Sequence, residues 1–193
     1  MDDHNSFTYL ADYDDLTSLK NDEKIDWVRK RINKVFLKPV NRFKISNNTD
    51  LALGVMTLIC CAIEALGHFR NGRTDKNRVK GQDEKDFKLF IKEYMPEASR
   101  IGRYLYYYFR CGLAHAFVIE RGSIEGEIKS LYEREKRKRV FYRVNPWKLF
   151  DLLEKAIENY FNNLGQKGRK RLRKNFRNRF EYSYKFWLEN RPN

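Results

Sequence analysis

Residues 104–116 read YLYYYFRCGLAHA, an aromatic, apolar run that carries one arginine, Arg110, and one histidine, His115. A run this apolar belongs against a core, yet both polar side chains suit phosphate chemistry. Arg110 presents a rigid, permanently charged fork of donors matched to phosphate oxygens. His115 is the side-chain type whose ordinary pKa lets it give or take a proton near neutrality. In an unbroken α-helix the five-residue spacing would set them about 140° apart, on different faces. The spacing therefore predicts a bend, and Gly112 between them is the residue that permits one.

Outward from this stretch the pattern is helical on both sides. Upstream, Ala98, Ile101, Leu105, Tyr108 and Phe109 predict a helix over 97–111, preceded by one over 84–94 that Pro96 closes. Before them lies a basic, glycine-punctuated loop over 71–82, expected to be solvated. The segment 50–69 is apolar nearly all round, the mark of a central bundle helix, and Asn-Asn-Thr-Asp before it offers caps. Past the capping Asp50, its one acid, Glu64, needs a cationic partner in such surroundings, and Arg110 is the candidate if the two helices are neighbours. His68, four residues on, gives Glu-x3-His, which is not the spacing of a zinc helix. It reads as a helix-end histidine, and the expected metal ligands are none. The first helix spans 22–38, with Ile25, Val28, Ile32, Val35 and Phe36 on one face; Pro39 is expected to end it before a polar loop over 41–48.

Downstream the periodicity changes. Residues 116–144 mix β-branched and aromatic side chains around Gly122-Ser123, predicting a hairpin or two short strands. The charge run Glu133–Arg139 reads as a solvated turn or strand edge. Asn145-Pro146 starts a helix over 146–164 with Asn as cap and Pro in the first turn. After a hinge at 165–168 a final helix over 169–189 carries seven basic residues between Arg169 and Arg179 and no acid there. The expected fold is mainly α: an up-down four-helix bundle with a short β excursion and additional C-terminal helices. Its divisions are an acidic arm (1–20), the helical domain (21–165, with the β insertion at about 116–144) and a basic C-terminal helix (166–193).

The chain has 193 residues, 41% of them apolar, and 29 aromatics, enough for one bulky core. Its net charge of +14 points to a polyanionic partner. The charge is uneven: residues 1–26 hold eight acids against Lys20 and Lys24, net −6, leaving +20 on the remainder. The acidic leader can fold back onto that surface or simply keep the chain soluble; the second is the plainer expectation. The first 20 residues are acidic and lack an apolar stretch, so no secretory signal is expected. Three cysteines, two of them adjacent, make neither a disulfide framework nor a metal spacing, which suits a reducing cytoplasm. The longest uncharged apolar run, Leu51–Ile63, is 13 residues, short of a bilayer span, so no membrane association is expected.

Arg-x4-His at the end of an aromatic-rich helix, here RCGLAH over Arg110–His115, resembles the motif of the HEPN superfamily, small helical proteins of which many are metal-independent ribonucleases of toxin–antitoxin and antiviral defence systems. The resemblance spans roughly 24–164. It departs from the family pattern at Cys111, where a polar residue, commonly Asn, often follows the arginine. It implies a HEPN-like bundle with catalytic Arg110 and His115 and no cofactor; the reading of the helices adds Glu64, Gly112 and Cys111 as supporting residues. The resemblance further implies pairing of two motifs across a dimer axis, with RNA as substrate and an antitoxin as a possible partner. The four tyrosines at 104, 106, 107 and 108, more than one helix buries in its own bundle, also lead us to expect a symmetric interface. The candidate phosphate contacts are Arg103, Arg137, Arg139, Arg169, Arg173 and Arg177.

Two other readings fit the same residues. A HEPN-like module can bind nucleic acid or dock a partner without catalysis, with the basic C-terminal helix supplying phosphate contacts. Alternatively Arg110 and Glu64 form a structural ion pair and His115 is a satisfied core histidine.

Overall fold

A computed structural model describes residues 16, 18–45, 51–74, 76, 79–113, 118, 119, 121–136 and 140–189, without side-chain detail for 136 and 186–189. The architecture is mainly α with one small sheet, as the periodicity predicts. Helix α1 (Asn21–Ile32) passes through a π-turn at Asn33–Leu37 into α2 (Lys38–Ile45). The helix therefore does not end at Pro39, and Asn41–Ile45 is helix rather than loop. The π-turn is the physical reason. It inserts one extra residue into the hydrogen-bond ladder, and Lys38 N–H bonds back to the Asn33 carbonyl just before the proline that lacks a donor. It also rotates the faces: Val35, expected inside, is 43% exposed, while Leu37 and Val40 turn into the core.

Helix α3 (Ala52–Asn71) is the central helix, burying Val55, Met56, Ile59, Cys60, Ile63 and Leu66. By length and composition it is apolar enough to cross a membrane, but much of its surface is packed against the bundle. Helix α4 (Gln82–Tyr94) lies directly on it. A Cβ at Gly67 would stand 2.7 Å from the Asp86 carbonyl, so only glycine lets the two backbones approach this closely. The loop between them is not simply solvated: Arg73 binds the fully buried Asp86 carboxylate, which also accepts from Asn71 and Gln82, each at 2.8 Å.

The motif helix is continuous but of mixed pitch: 3-10 over Pro96–Ile101, a single α turn α5 (Gly102–Tyr104), then a π-helix over Leu105–Cys111. It packs Ile101, Leu105 and Phe109 inward, in contact with α3 and α4.

Three strands follow: β1 (Gly122–Ile124), β2 (Tyr132–Lys136) and β3 (Val140–Val144), in the order β1-β3-β2, with β1 parallel and β2 antiparallel to β3. Gly122-Ser123 thus lies in a strand and not in a turn, because the hairpin joins β2 to β3 further on. The charge run supplies edge strand β2, where Glu133 and Glu135, with Glu125 near β1, converge on Arg143 of β3.

Asn145 caps α6 (Pro146–Gly165): its side chain accepts from the Trp147 and Lys148 amides and donates to the Gly126 and Ile128 carbonyls. Helix α7 (Lys170–Glu189) is part of the bundle and not an appendage. Phe176 and Phe180 are buried, Phe176 stacks on Phe69 at 5.2 Å, and Trp27 meets both Phe180 and Tyr184 edge-on.

Candidate functional site

The site is built where the motif helix crosses α3. The π-pitch of Leu105–Cys111 gives a wider turn than the α-helix assumed from spacing, and such segments recur at functional positions. It directs Arg110 at Glu64. The guanidinium Nε donates to Oε2 at 2.9 Å, and Nη2 donates to both carboxylate oxygens at 2.8 Å. The Tyr106 ring lies 5.9 Å from the guanidinium carbon, and Tyr106 itself packs edge-on against Phe87. The pair is only partly withdrawn from solvent: the Arg110 side chain is 22% exposed and Glu64 13%.

Burial works against the Arg110 charge, but the hydrogen bonds and charge of Glu64 prevail and hold its pKa above the ordinary value. Burial pushes the Tyr106 phenol up to about 12 and raises the Cys60 and Cys61 thiols, so these neighbours stay neutral at pH 7.

Gly112 does not bend the helix. Its own dihedrals are helical (φ −60°, ψ −48°). Its role is close approach: the Val118 amide donates to the Gly112 carbonyl at 3.2 Å, and a Cβ at 112 would stand 2.3 Å from the Val118 carbonyl oxygen. Residues 114–117, and so His115, lie outside the described residues; only the two ends of the segment that carries it are tied together. Cys111 is a half-buried free thiol on the last π-turn.

One set of ligating atoms was invisible in the sequence. Glu64, His68 and Asp83 bring their donor atoms within 4.8 Å of one another, because Asp83 comes from the first turn of α4. Two carboxylates and an imidazole suit a divalent cation. Here, however, the Glu64 carboxylate is held in the Arg110 fork, and His68 Nε2 lies 3.2 Å from Asp83 Oδ1. A cation would have to compete with the guanidinium for Glu64. Burial first, then the charge of Arg179, lowers the His68 pKa and so favours the neutral imidazole beside Asp83.

The candidate phosphate contacts divide. Arg103 is 77% exposed, lies over the Tyr107 ring at 5.6 Å and stands 4.0 Å from Glu84. Arg177 is 52% exposed, 4.0 Å from Glu181, and Arg169 is exposed before α7. Arg173 is largely covered: it donates to the Leu164 carbonyl at 2.7 Å and to Asp22 at 2.5 Å, closing α7 onto α6 and α1. Its burial makes it a structural clamp, although composition alone grouped it with its exposed neighbours. Arg137 and Arg139 lie outside the described residues.

The four tyrosines of the motif helix find partners within the chain. Tyr104 meets Tyr142 of β3 at 4.5 Å and donates to the Val140 carbonyl at 3.1 Å; Tyr108 packs on Tyr104 at 4.5 Å. Tyr107 is the most exposed, donating to Glu84 at 2.6 Å. Compared with protein-family models, with curated proteins and with solved structures, the chain matches none.

Proposed function

We propose that this chain is a metal-independent endoribonuclease of the HEPN type, a cytoplasmic toxin or defence component that acts on RNA as a homodimer. The observation that carries the reading is the orientation of Arg110. A carboxylate from the neighbouring helix holds two of its nitrogens, in a partly exposed site five residues before His115. An arginine so held is pre-oriented, which is what electrostatic stabilisation of a phosphorane requires.

In the proposed reaction the ribose 2′-oxygen attacks phosphorus and the bond from phosphorus to the 5′-oxygen breaks. The products are a 2′,3′-cyclic phosphate and a 5′-hydroxyl. A base takes the 2′-hydroxyl proton and an acid protonates the leaving oxygen. His115 fills one role and His115 of a second copy the other, which is the reason for a dimer. The exposed face of α3 supports it: Leu58, Cys61 and Ala65, beside Glu64, form an uncharged strip at helical spacing.

The second reading, a non-catalytic RNA-binding or partner-docking module, is favoured by the same ion pair, since Glu64 already engages the Arg110 fork with both oxygens. The deciding experiment is an RNA cleavage assay on purified protein, with chelator present throughout and the 3′ ends of the products examined. Cleavage leaving cyclic phosphate, abolished in His115→Ala, supports the enzyme. Salt-sensitive binding with no cleavage supports the module.

A further inference from the structure

On the motif helix, next to the Arg110 site, lies a second candidate site. A pocket of about 590 Å³ opens between the motif helix and the sheet. That volume falls in the range of sites for small organic ligands. Arg100, Arg103 and Arg121 and the rings of Tyr104, Tyr107 and Tyr108 line it, with Tyr142 and Val140 of β3 as the far wall and, among the described residues, no carboxylate in the lining. The arginines already lie on tyrosine faces, Arg121 over Tyr108 at 5.1 Å and Arg103 over Tyr107 at 5.6 Å. Hydroxyl hydrogen bonds fix the rings: Tyr104 to the Val140 carbonyl, Tyr107 to Glu84. Burial keeps the Tyr104 phenol protonated, with its pKa pushed up to about 12, so that ring presents no phenolate to repel an anion.

We infer that this pocket binds one nucleotide of a single-stranded RNA, the base stacked on the Tyr107–Tyr108 wall and its phosphate held by Arg100 and Arg121. Aromatic faces and guanidinium planes are what unpaired bases stack on, and guanidinium forks match phosphate oxygens. The pocket also joins the Arg110 site. Arg110 lies 5.9 Å from the Tyr106 ring, Tyr106 packs edge-on against Tyr107 at 5.5 Å, and Tyr107 lines the pocket. A chain of ring contacts along one helix thus links the two places. This inference rests on the reading that RNA is the substrate and adds where the strand is gripped beside the scissile phosphate.

The test uses the full chain and a single-stranded RNA with 2′-O-methyl riboses, which cannot be cut, carrying 5-iodouridine at successive positions. Irradiation followed by peptide mapping should place the crosslink on Tyr107 or Tyr108. Tyr107→Ala should weaken binding about tenfold, the scale of one lost base stack. Arg100→Gln with Arg121→Gln should reduce the salt dependence of log K by about 0.7 for each phosphate no longer neutralised. Circular dichroism melts of each variant separate lost binding from lost fold, and the crosslink on wild-type protein needs no variant. A competing 5′-mononucleotide distinguishes the sources of the ligand. Displacement of the RNA by millimolar mononucleotide with the crosslink suppressed assigns the pocket to free nucleotides instead. Tight RNA binding with crosslinks only elsewhere overturns the pocket and leaves the RNA reading standing. No binding of RNA even at low salt overturns both.

Discussion

Glu64 on the central helix and Arg110 on the motif helix, 46 positions apart in sequence, form a two-nitrogen ion pair of 2.8–2.9 Å hydrogen bonds at the edge of the core. Both partners keep some exposure, so the pair sits between the surface regime, worth about 1 kcal/mol or less, and the buried one, where loss of a partner costs about 3–5 kcal/mol. Glu64→Ala should therefore destabilise by about 1–3 kcal/mol on a denaturant curve. It should also lower RNA cleavage far more than the melting temperature suggests, because the Arg110 fork loses its orientation. Glu64→Gln, which keeps one acceptor, should recover most of the stability and less of the activity. Unchanged cleavage in Glu64→Ala would mean that the pair does not position Arg110.

The expectation for Gly112 moves from bending to spacing. Gly112→Ala adds the Cβ that would stand 2.3 Å from the Val118 carbonyl oxygen. The returning chain must shift, at a cost of about 1–3 kcal/mol as for other overpacked sites. Even this smallest substitution should reduce cleavage, since the displaced segment is the one that carries His115. Full activity in Gly112→Ala would detach that closure from function.

His68 makes stability depend on pH. Its pKa in the fold is lowered, by burial first and then by Arg179, while Glu64, Asp83 and Asp86 oppose the shift. The unfolded chain therefore binds the proton more readily than the fold. The His68 contribution is fully present above the unfolded value of about 6.5 and is lost as pH falls below it. Thermal melts from pH 7.5 to 5 should show a smaller loss for His68→Gln than for wild type. Parallel losses would remove His68 as the cause.

The basic face should divide as its geometry does. Arg169→Gln and Arg177→Gln should each lower the slope of log K against log salt by about 0.7 on single-stranded RNA with little change in melting. Arg173→Gln should instead lower the melting temperature, because it removes the tie from α7 to the Leu164 carbonyl and Asp22. Deleting 166–193 is no test of binding, since it strips Phe176 and Phe180 from the core.

Much of the helical layout was legible because periodicity and caps are local. The centrality of α3, the Asn145 cap and the C-terminal helix could all be read from spacing, and Glu64 was marked by its isolation in an apolar helix. What was not legible depends on one extra residue or on distant neighbours. The π-turn at Asn33–Leu37 carries the helix past Pro39 and turns Val35 outward, and no local propensity marks it. Asp83 joins Glu64 and His68 only through the packing of α4 on α3. The strand order β1-β3-β2, which puts Tyr142 against Tyr104, is a long-range pairing that alternation cannot specify.

The most direct test of the central claim is single-turnover cleavage of RNA by wild type, Arg110→Ala and His115→Ala with chelator present, each variant first shown to melt cooperatively. The account predicts cleavage to 2′,3′-cyclic phosphate by wild type. It predicts a fall of about two to three orders of magnitude for Arg110→Ala, the scale of one lost electrostatic stabiliser, and at least about a hundredfold for His115→Ala. Failure of folded wild-type protein to cleave any RNA, or cleavage that survives both substitutions, would contradict it.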